Sequence, residues 1–257
     1  MINFFKDIPR QGPGSPSETL KAFELTGLKS DDQLQIADIG CGTGAQTLTL
    51  AAHTKGYITA VDLYPEFLDK LKYKALTMGI QDQINTDVQS MDSLPYENYS
   101  FDLIWSEGAI YIMGFQEGTI AWRKLLKDNG ILVVSEISWF TETRPVELEK
   151  FWQNAYPQID TVLNKEKFLN KAGYAVITTF RLPEYCWIEN YYRPIQAHIP
   201  QFLQKYRKTL EAQNLVIELE QEIEMYEKYK DFYGYGFYIA QKNRSADERF
   251  IAGSIDR

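Results

Sequence analysis

The chain reads as an α/β protein built on a mostly parallel sheet with helices on both faces. Three observations predict this. Apolar runs of strand length, such as 34–39 (LQIADI), 57–62 (YITAVD), 101–106 (FDLIWS) and 131–137 (ILVVSEI), alternate with stretches of helical spacing. A glycine cluster, Gly40, Gly42 and Gly44, sits where a strand should hand over to a helix. After residue 140 the alternation gives way to helical stretches that close on a last apolar run at 235–242.

The elements follow in order. Ser15 caps a helix over 15–26, with Pro16 at its first position, Glu18 three residues after the cap, and Leu20, Ala22, Phe23 and Leu25 on roughly one face. A strand at 34–39 leads through the glycine loop to a helix at 44–53. The strand at 57–62 leads to a helix from Pro65 to Gly79, a C′ glycine. A short strand near 84–89 precedes the stronger one at 101–106. A helix over 117–127 ends in the turn Asp128-Asn129-Gly130, and a buried strand follows at 131–137. Helices at 146–155 and 164–172, a strand at 174–181 and a tyrosine-rich helical stretch over 195–230 precede the strand at 235–242. No internal repeat or low-complexity linker divides the chain. One domain is expected over 1–242, with an N-terminal helical lid at 1–33, a helical insertion at 182–232 and a flexible tail at 243–257.

Composition narrows the function classes. The 257 residues are 44% hydrophobic, carry a formal charge of −8 and have a pI near 5.0. That balance opposes broad binding to nucleic acid or an anionic membrane. Cys41 and Cys186 are the two cysteines, which suits a reducing, cytoplasmic compartment. The first residues hold no signal-peptide apolar run, and no stretch approaches about 18 consecutive apolar residues. The two histidines, His53 and His198, lie far apart, so no metal site is expected.

The most informative stretch is Ile36-Ala37-Asp38-Ile39-Gly40-Cys41-Gly42-Thr43-Gly44-Ala45. Its glycines permit left-handed backbone and close approach of a ligand, and the helix that follows offers free N–H groups. Gly40, Gly42 and Ala45 also satisfy the dinucleotide pattern G-x-G-x-x-G/A, so an NAD-dependent oxidoreductase is one reading. Asp38 favours another. A carboxylate two residues before the first glycine opposes a pyrophosphate and suits a ligand with an amino group and a sulfonium.

Asp-Ile-Gly-Cys-Gly-Thr-Gly (38–44) resembles the first motif of the class I, Rossmann-like S-adenosylmethionine-dependent methyltransferases. The resemblance continues in order over about 34–137. Asp62 ends the second strand, where the family places the acid that binds both ribose hydroxyls. Leu63 follows, where an apolar side chain packs on adenine. Met91-Asp92-Ser93-Leu94-Pro95-Tyr96, Ser100 to Ile104, and Asn129 to Leu132 resemble the adenine loop, the fourth strand and the turn into the fifth. One departure is Ser90, which stands where many members carry the acid of the adenine loop.

The resemblance implies a three-layer sandwich around a seven-stranded, mostly parallel sheet with an antiparallel last strand. It implies S-adenosyl-L-methionine as cofactor. The cofactor-binding residues it marks are Asp38, Gly40, Cys41, Gly42, Gly44, Asp62, Leu63, Ser90, Met91, Asp92, Ser106 and Glu107. Glu107 is also the candidate to position or deprotonate an acceptor. Asp102 is read as holding neighbouring backbone. Arg10 to Ser15 resembles the lid region of small-molecule methyltransferases. The aromatic residues Trp139, Phe140, Phe151, Trp152, Tyr185, Trp187, Tyr191 and Tyr192 either line an acceptor pocket or build the core. The chain has no Asn-Pro-Pro-Tyr or Asp-Pro-Pro-Tyr after the fourth strand and no Pro-Cys, so a small molecule is the expected acceptor. The protein is expected to be a monomer or homodimer. A non-catalytic S-adenosylmethionine-binding protein is the remaining alternative. The oxidoreductase reading predicts a parallel sixth and seventh strand pair. The methyltransferase reading predicts an antiparallel hairpin from 174–181 and 235–242.

Overall fold

The computed structural model describes residues 2–207 and 209–243. The tail expected to be flexible lies, from residue 244 onward, outside the described residues. Short helix α1 (Ile2–Phe5) and helix α2 (Pro16–Leu25) precede the sheet. The first half then runs β1 (Gln35–Ile39), α3 (Ala45–His53), β2 (Tyr57–Asp62), α4 (Pro65–Met78), β3 (Ile84–Val88) and β4 (Phe101–Glu107). Next come α5 (Phe115–Arg123), β5 (Leu126–Trp139), α6 (Val146–Ala155), the two-residue β6 (Asp160–Thr161), α7 (Val162–Lys171) and β7 (Tyr174–Arg181). The chain closes with α8 (Glu184–Trp187), α9 (Arg193–Tyr206), α10 (Leu210–Tyr229) and β8 (Tyr233–Lys242).

The strand order is β3-β2-β1-β4-β5-β8-β7, with β6 beside β5. β1 through β5 pair in parallel, whereas β8 runs antiparallel to both β5 and β7. The hairpin that separates the two nucleotide-binding readings is therefore antiparallel, and the parallel pair demanded by the oxidoreductase reading is not formed. The order reverses between β1 and β4. Such a switch point opens a crevice at the carboxyl ends of the strands.

Period-2 alternation divides the core into two layers. Ile36, Leu103, Trp105, Ile131, Val133, Phe237 and Ile239 pack with Phe23, Leu50, Phe202, Leu219 and Tyr226 from α2, α3, α9 and α10. Their neighbours Ala37, Ile39, Ile104, Leu132, Val134 and Tyr238 pack with Phe115, Trp122 and Leu169 from α5 and α7. Both faces are covered, which is why these strands read as continuous apolar runs rather than alternating ones.

Two boundaries differ from the sequence expectation. The helix expected over 117–127 stops at Arg123, and Asp128-Asn129-Gly130 lies inside the long strand β5, with Asn129 at a φ of 60°. The helical stretch at 195–230 is two helices preceded by a five-residue π turn, Ile188–Tyr192. Among the described residues, no helix is long and apolar enough to cross a membrane.

Candidate functional site

Three glycines in five residues adopt left-handed backbone, with φ of 73°, 56° and 81° at Gly40, Gly42 and Gly44. A side chain at Gly40 would run into the methyl of Ala109, and one at Gly42 into the Gln11 amide oxygen. The turn therefore needs glycine for its backbone angles, and at Gly40 for space as well. It opens a cavity of about 400 Å³ at the switch between β1 and β4.

The cavity brings together Gly40, Cys41, Gly42, Asp62, Leu63, Ser90, Met91 and Glu107. Asp62 accepts from the N–H of Gly42 at 2.8 Å and of Tyr64 at 3.0 Å. Burial nevertheless pushes its carboxyl above the usual range, against the pull of those N–H groups. Leu63 is 53% exposed, and Tyr111 and Ile112, which also line the cavity, are exposed as well. Exposed apolar side chains gathered at one concavity mark a ligand site rather than scattered surface. The Cys41 thiol is pushed up by burial and by the charges of Asp38 and Asp62, which makes it an inert wall residue.

Four expected residues do not line the cavity. Asp38 is fully buried beside the loop, where Gln46 Nε2 and Thr47 Oγ1 donate to its two oxygens. Burial raises its pKa to about 7, against those two hydrogen bonds. Gly44 is the N-cap of α3 and packs on Leu71. Asp92 is exposed, and the neighbouring Ser90 and Ser93 hydroxyls hold its carboxyl below the usual range. Ser106 is buried, and its hydroxyl has no hydrogen-bond partner among the described residues.

Glu107 reaches the cavity but is engaged by the protein itself. Arg10 Nη2 donates to Oε2 at 2.7 Å, while Thr19 Oγ1 and Trp105 Nε1 donate to Oε1 at 2.7 and 3.0 Å. The pair with Arg10 is buried, with side-chain exposures of 9% and 2%. Gln11 lies across the glycine loop, accepting from the Thr43 N–H at 2.7 Å and donating to the Phe5 carbonyl at 2.8 Å. Phe4 and Ile8 are buried on the core. The N-terminal segment is thus a packed cover over the loop, fixed at Glu107 and Thr43. Asn190 donates to the Gly14 carbonyl at 2.9 Å, which ties the cover to the π turn.

Asp102 accepts from the Gln35 N–H and from Lys127, each at 2.8 Å, and so holds backbone as expected. Most of the aromatic group is core. Trp187 stacks on Tyr226 with ring centroids 4.4 Å apart, and Trp152 meets Tyr233 edge-on at 5.2 Å. Of that group, Tyr191 lines the cavity. Arg10, Gln11, Tyr111 and Glu222 also line it, and the sequence assigned them no ligand role. The first three lie in segments that motif order had drawn attention to. Glu222 is one acid among many on an amphipathic helix, with no local signal to single it out.

The donor set discriminates between ligands. The loop's Gly42 and Thr43 N–H groups point at a carboxylate and an amide oxygen. Among the described residues, Arg10 is the one basic side chain that lines the cavity, and Glu107 holds it. A pyrophosphate would find carboxylates where it needs cations. A phosphate-free, positively charged nucleoside fits these groups.

Residues 36–130 match the methyltransferase-domain family. Methyltransferase GfsG of Streptomyces halstedii is 25% identical over 104 residues, which are 40% of this chain and 37% of that protein. The chain therefore spans less than two-fifths of the length of that curated relative. Two solved structures share the fold over nearly the whole chain. YjhP from E. coli superposes with a TM-score of 0.81 at 18% identity, covering 95% of this chain and 99% of the other. A SAM-dependent methyltransferase from Geobacter sulfurreducens, solved with S-adenosyl-L-homocysteine, gives 0.80 at 16% identity, covering 94% and 98%.

Proposed function

We propose that this chain, a Rossmann-like methyltransferase-domain protein over residues 36–130, transfers a methyl group from S-adenosyl-L-methionine to a small-molecule acceptor. The observation that carries the reading is one continuous cavity. It runs from the glycine turn and Asp62 to Tyr111, Tyr191 and the inner face of α10. A donor and a second molecule can meet there without solvent between them.

Each lining group has a role under this reading. Asp62 would accept the ribose hydroxyls of the bound cofactor. Leu63 and Met91 would hold the adenine, with Ser90 beside it on the cavity wall. When bound, the cofactor supplies a methyl carbon on a sulfonium, an electrophile that needs no metal or covalent intermediate. The protein's contribution is alignment and exclusion of water. The cover of residues 2–15 supplies the exclusion, and Glu107 holds that cover through Arg10. Since three protein donors occupy Glu107, it serves here as a positioning residue. Cys41 and Cys186 are both free and buried, which fits a cytoplasmic, reducing setting.

Calorimetric titration with S-adenosylmethionine, S-adenosylhomocysteine and NAD tests the reading. The expected result is micromolar binding of both adenosyl ligands and none of NAD. Preference for NAD, or binding of none of the three, overturns it.

A further inference from the structure

The far half of the cavity holds an acid that cofactor binding leaves without a role. Glu222, on α10, lines the cavity together with Tyr111 and Tyr191. Three other buried or partly buried acids among the described residues have cationic or main-chain partners. Arg10 pairs with Glu107 at 2.7 Å, Lys165 lies 3.4 Å from Glu136, and main-chain N–H groups hold Asp62. Glu222 accepts a single hydrogen bond, from the Tyr192 hydroxyl to Oε1 at 3.0 Å. Among the described residues no cation is paired with it, and Oε2 has no donor.

Burial pushes the Glu222 carboxyl up, and the Tyr192 hydroxyl only partly opposes this. Glu222 is half-buried, and its second oxygen is open to the cavity with no cation beside it, so a ligand that brings positive charge gains most from this carboxylate. Its surroundings suit such a ligand. Tyr111, Tyr191, Tyr192, Tyr233 and Tyr235 all feel its charge. Tyr235 also packs against Gly108, at the end of β4, beside the segment that carries Glu107. An anionic oxygen and aromatic rings around one space form a receptor for a cation. A neutral or anionic ligand would leave the carboxylate uncompensated.

We infer that Glu222, with Tyr191 and Tyr111, forms the acceptor subsite, and that the acceptor is an amine that enters protonated. This rests on the methyl-transfer reading above. Glu222 Oε2 accepts a proton from the ammonium and frees the nitrogen lone pair. That pair forms the N–CH₃ bond as the C–S bond breaks, and the C–S electrons stay on sulfur as a thioether. The product leaves as a methylated ammonium, and Glu222 returns its proton to solvent. The carboxylate also offsets repulsion between two cations brought into one cavity.

The test uses the full chain loaded with S-adenosylhomocysteine and follows binding by saturation-transfer NMR and calorimetry. The probes are phenethylamine and tetramethylammonium as cations, 2-phenylethanol as the neutral analogue and phenylacetate as the anion. The cations should bind at least ten-fold more tightly than the other two. Glu222→Gln should remove that preference, leave S-adenosylhomocysteine affinity within about two-fold, and keep or raise the melting temperature. A structural glutamate would instead lower the melting temperature and leave probe preference intact. The inference fails if neither cation binds, if alcohol or carboxylate binds as well as the amine, or if Glu222→Gln keeps the preference. Failure of the donor reading shows separately, as no S-adenosylhomocysteine binding by the unmodified protein, and it removes this inference too.

Discussion

Asp38 and Asp62 leave neighbouring strands at the same edge of the sheet, yet they meet different surroundings. Asp62 faces the cavity through a carboxylate that main-chain donors only partly satisfy. Asp62→Ala is expected to weaken S-adenosylhomocysteine binding at least ten-fold while leaving the far-ultraviolet circular dichroism unchanged. Asp38 is sealed under Gln46 and Thr47, and its pKa rises from an ordinary 3.8 to about 7. Between those values the folded state binds more protons than the unfolded one, so this group lowers stability as pH rises from about 4 to 7. Asp38→Asn should therefore flatten that part of the stability–pH curve, measured by urea unfolding at several pH values. An unchanged slope means the carboxyl titrates normally. Arg10→Ala leaves Glu107 buried with only two neutral donors, and should cost about 3 kcal/mol. The glycine turn and Asp62 were legible because their chemistry is local: a strand end, a tight turn and an acid at fixed spacing. The true surroundings of Asp38, Asp92 and Ser106 were not, since burial depends on chain segments far away in sequence.

The elements that cover the site hold one another through a few polar ties. Ser15 Oγ accepts from the Glu18 N–H at 3.1 Å as the N-cap of α2, and also meets the Tyr185 hydroxyl of α8 at 3.0 Å. Ser15→Ala loses both contacts. A loss of about 1 kcal/mol is expected for the cap. Proteolytic nicking within residues 2–15 should rise with it, which limited trypsin digestion measures at Lys6 and Arg10. The π turn at Ile188–Tyr192 does another job. In a regular helix two consecutive tyrosines point about 100° apart. Here both Tyr191 and Tyr192 are buried, one lining the cavity and the other bonded to Glu222. Helix periodicity in the sequence signalled the insertion but not this turn, because an i to i+5 step leaves no residue-type signature. The missed end of α5 has a similar cause. Asn129 takes a left-handed φ inside a strand, so Asp-Asn-Gly reads as a terminator while the β5 ladder continues around it.

At the scale of the whole molecule, the order β3-β2-β1-β4-β5-β8-β7 came from the structure. The mostly parallel sheet and its antiparallel closing hairpin were legible, because the glycine motif marks the first strand and the late apolar runs mark the hairpin. The contents of the acceptor side were not, because α10 reaches the cavity only through tertiary packing against the sheet face that carries Trp105 and Phe237. That arrangement makes the cavity a joint between three parts of the chain: the glycine-turn half of the sheet, the N-terminal cover and the C-terminal helices. A ligand that binds only the folded state stabilises it by about 2.7 kcal/mol at a hundred-fold excess over Kd. For a domain of this size that corresponds to a rise of roughly 5–10 °C in melting temperature. S-adenosylhomocysteine should produce such a rise, and NAD should not. The distribution of the effect matters more than its size. Hydrogen exchange should slow in β1 and the glycine turn, where the ligand is held. It should also slow in residues 2–15, because Gln11 and Arg10 are fastened to the loop and to Glu107. Slowing in α10 should be smaller until an acceptor is present, since Glu222 waits for a second molecule. If protection stops at the glycine turn and leaves residues 2–15 exchanging freely, the N-terminal segment is no cover, and the cavity must exclude water by other means.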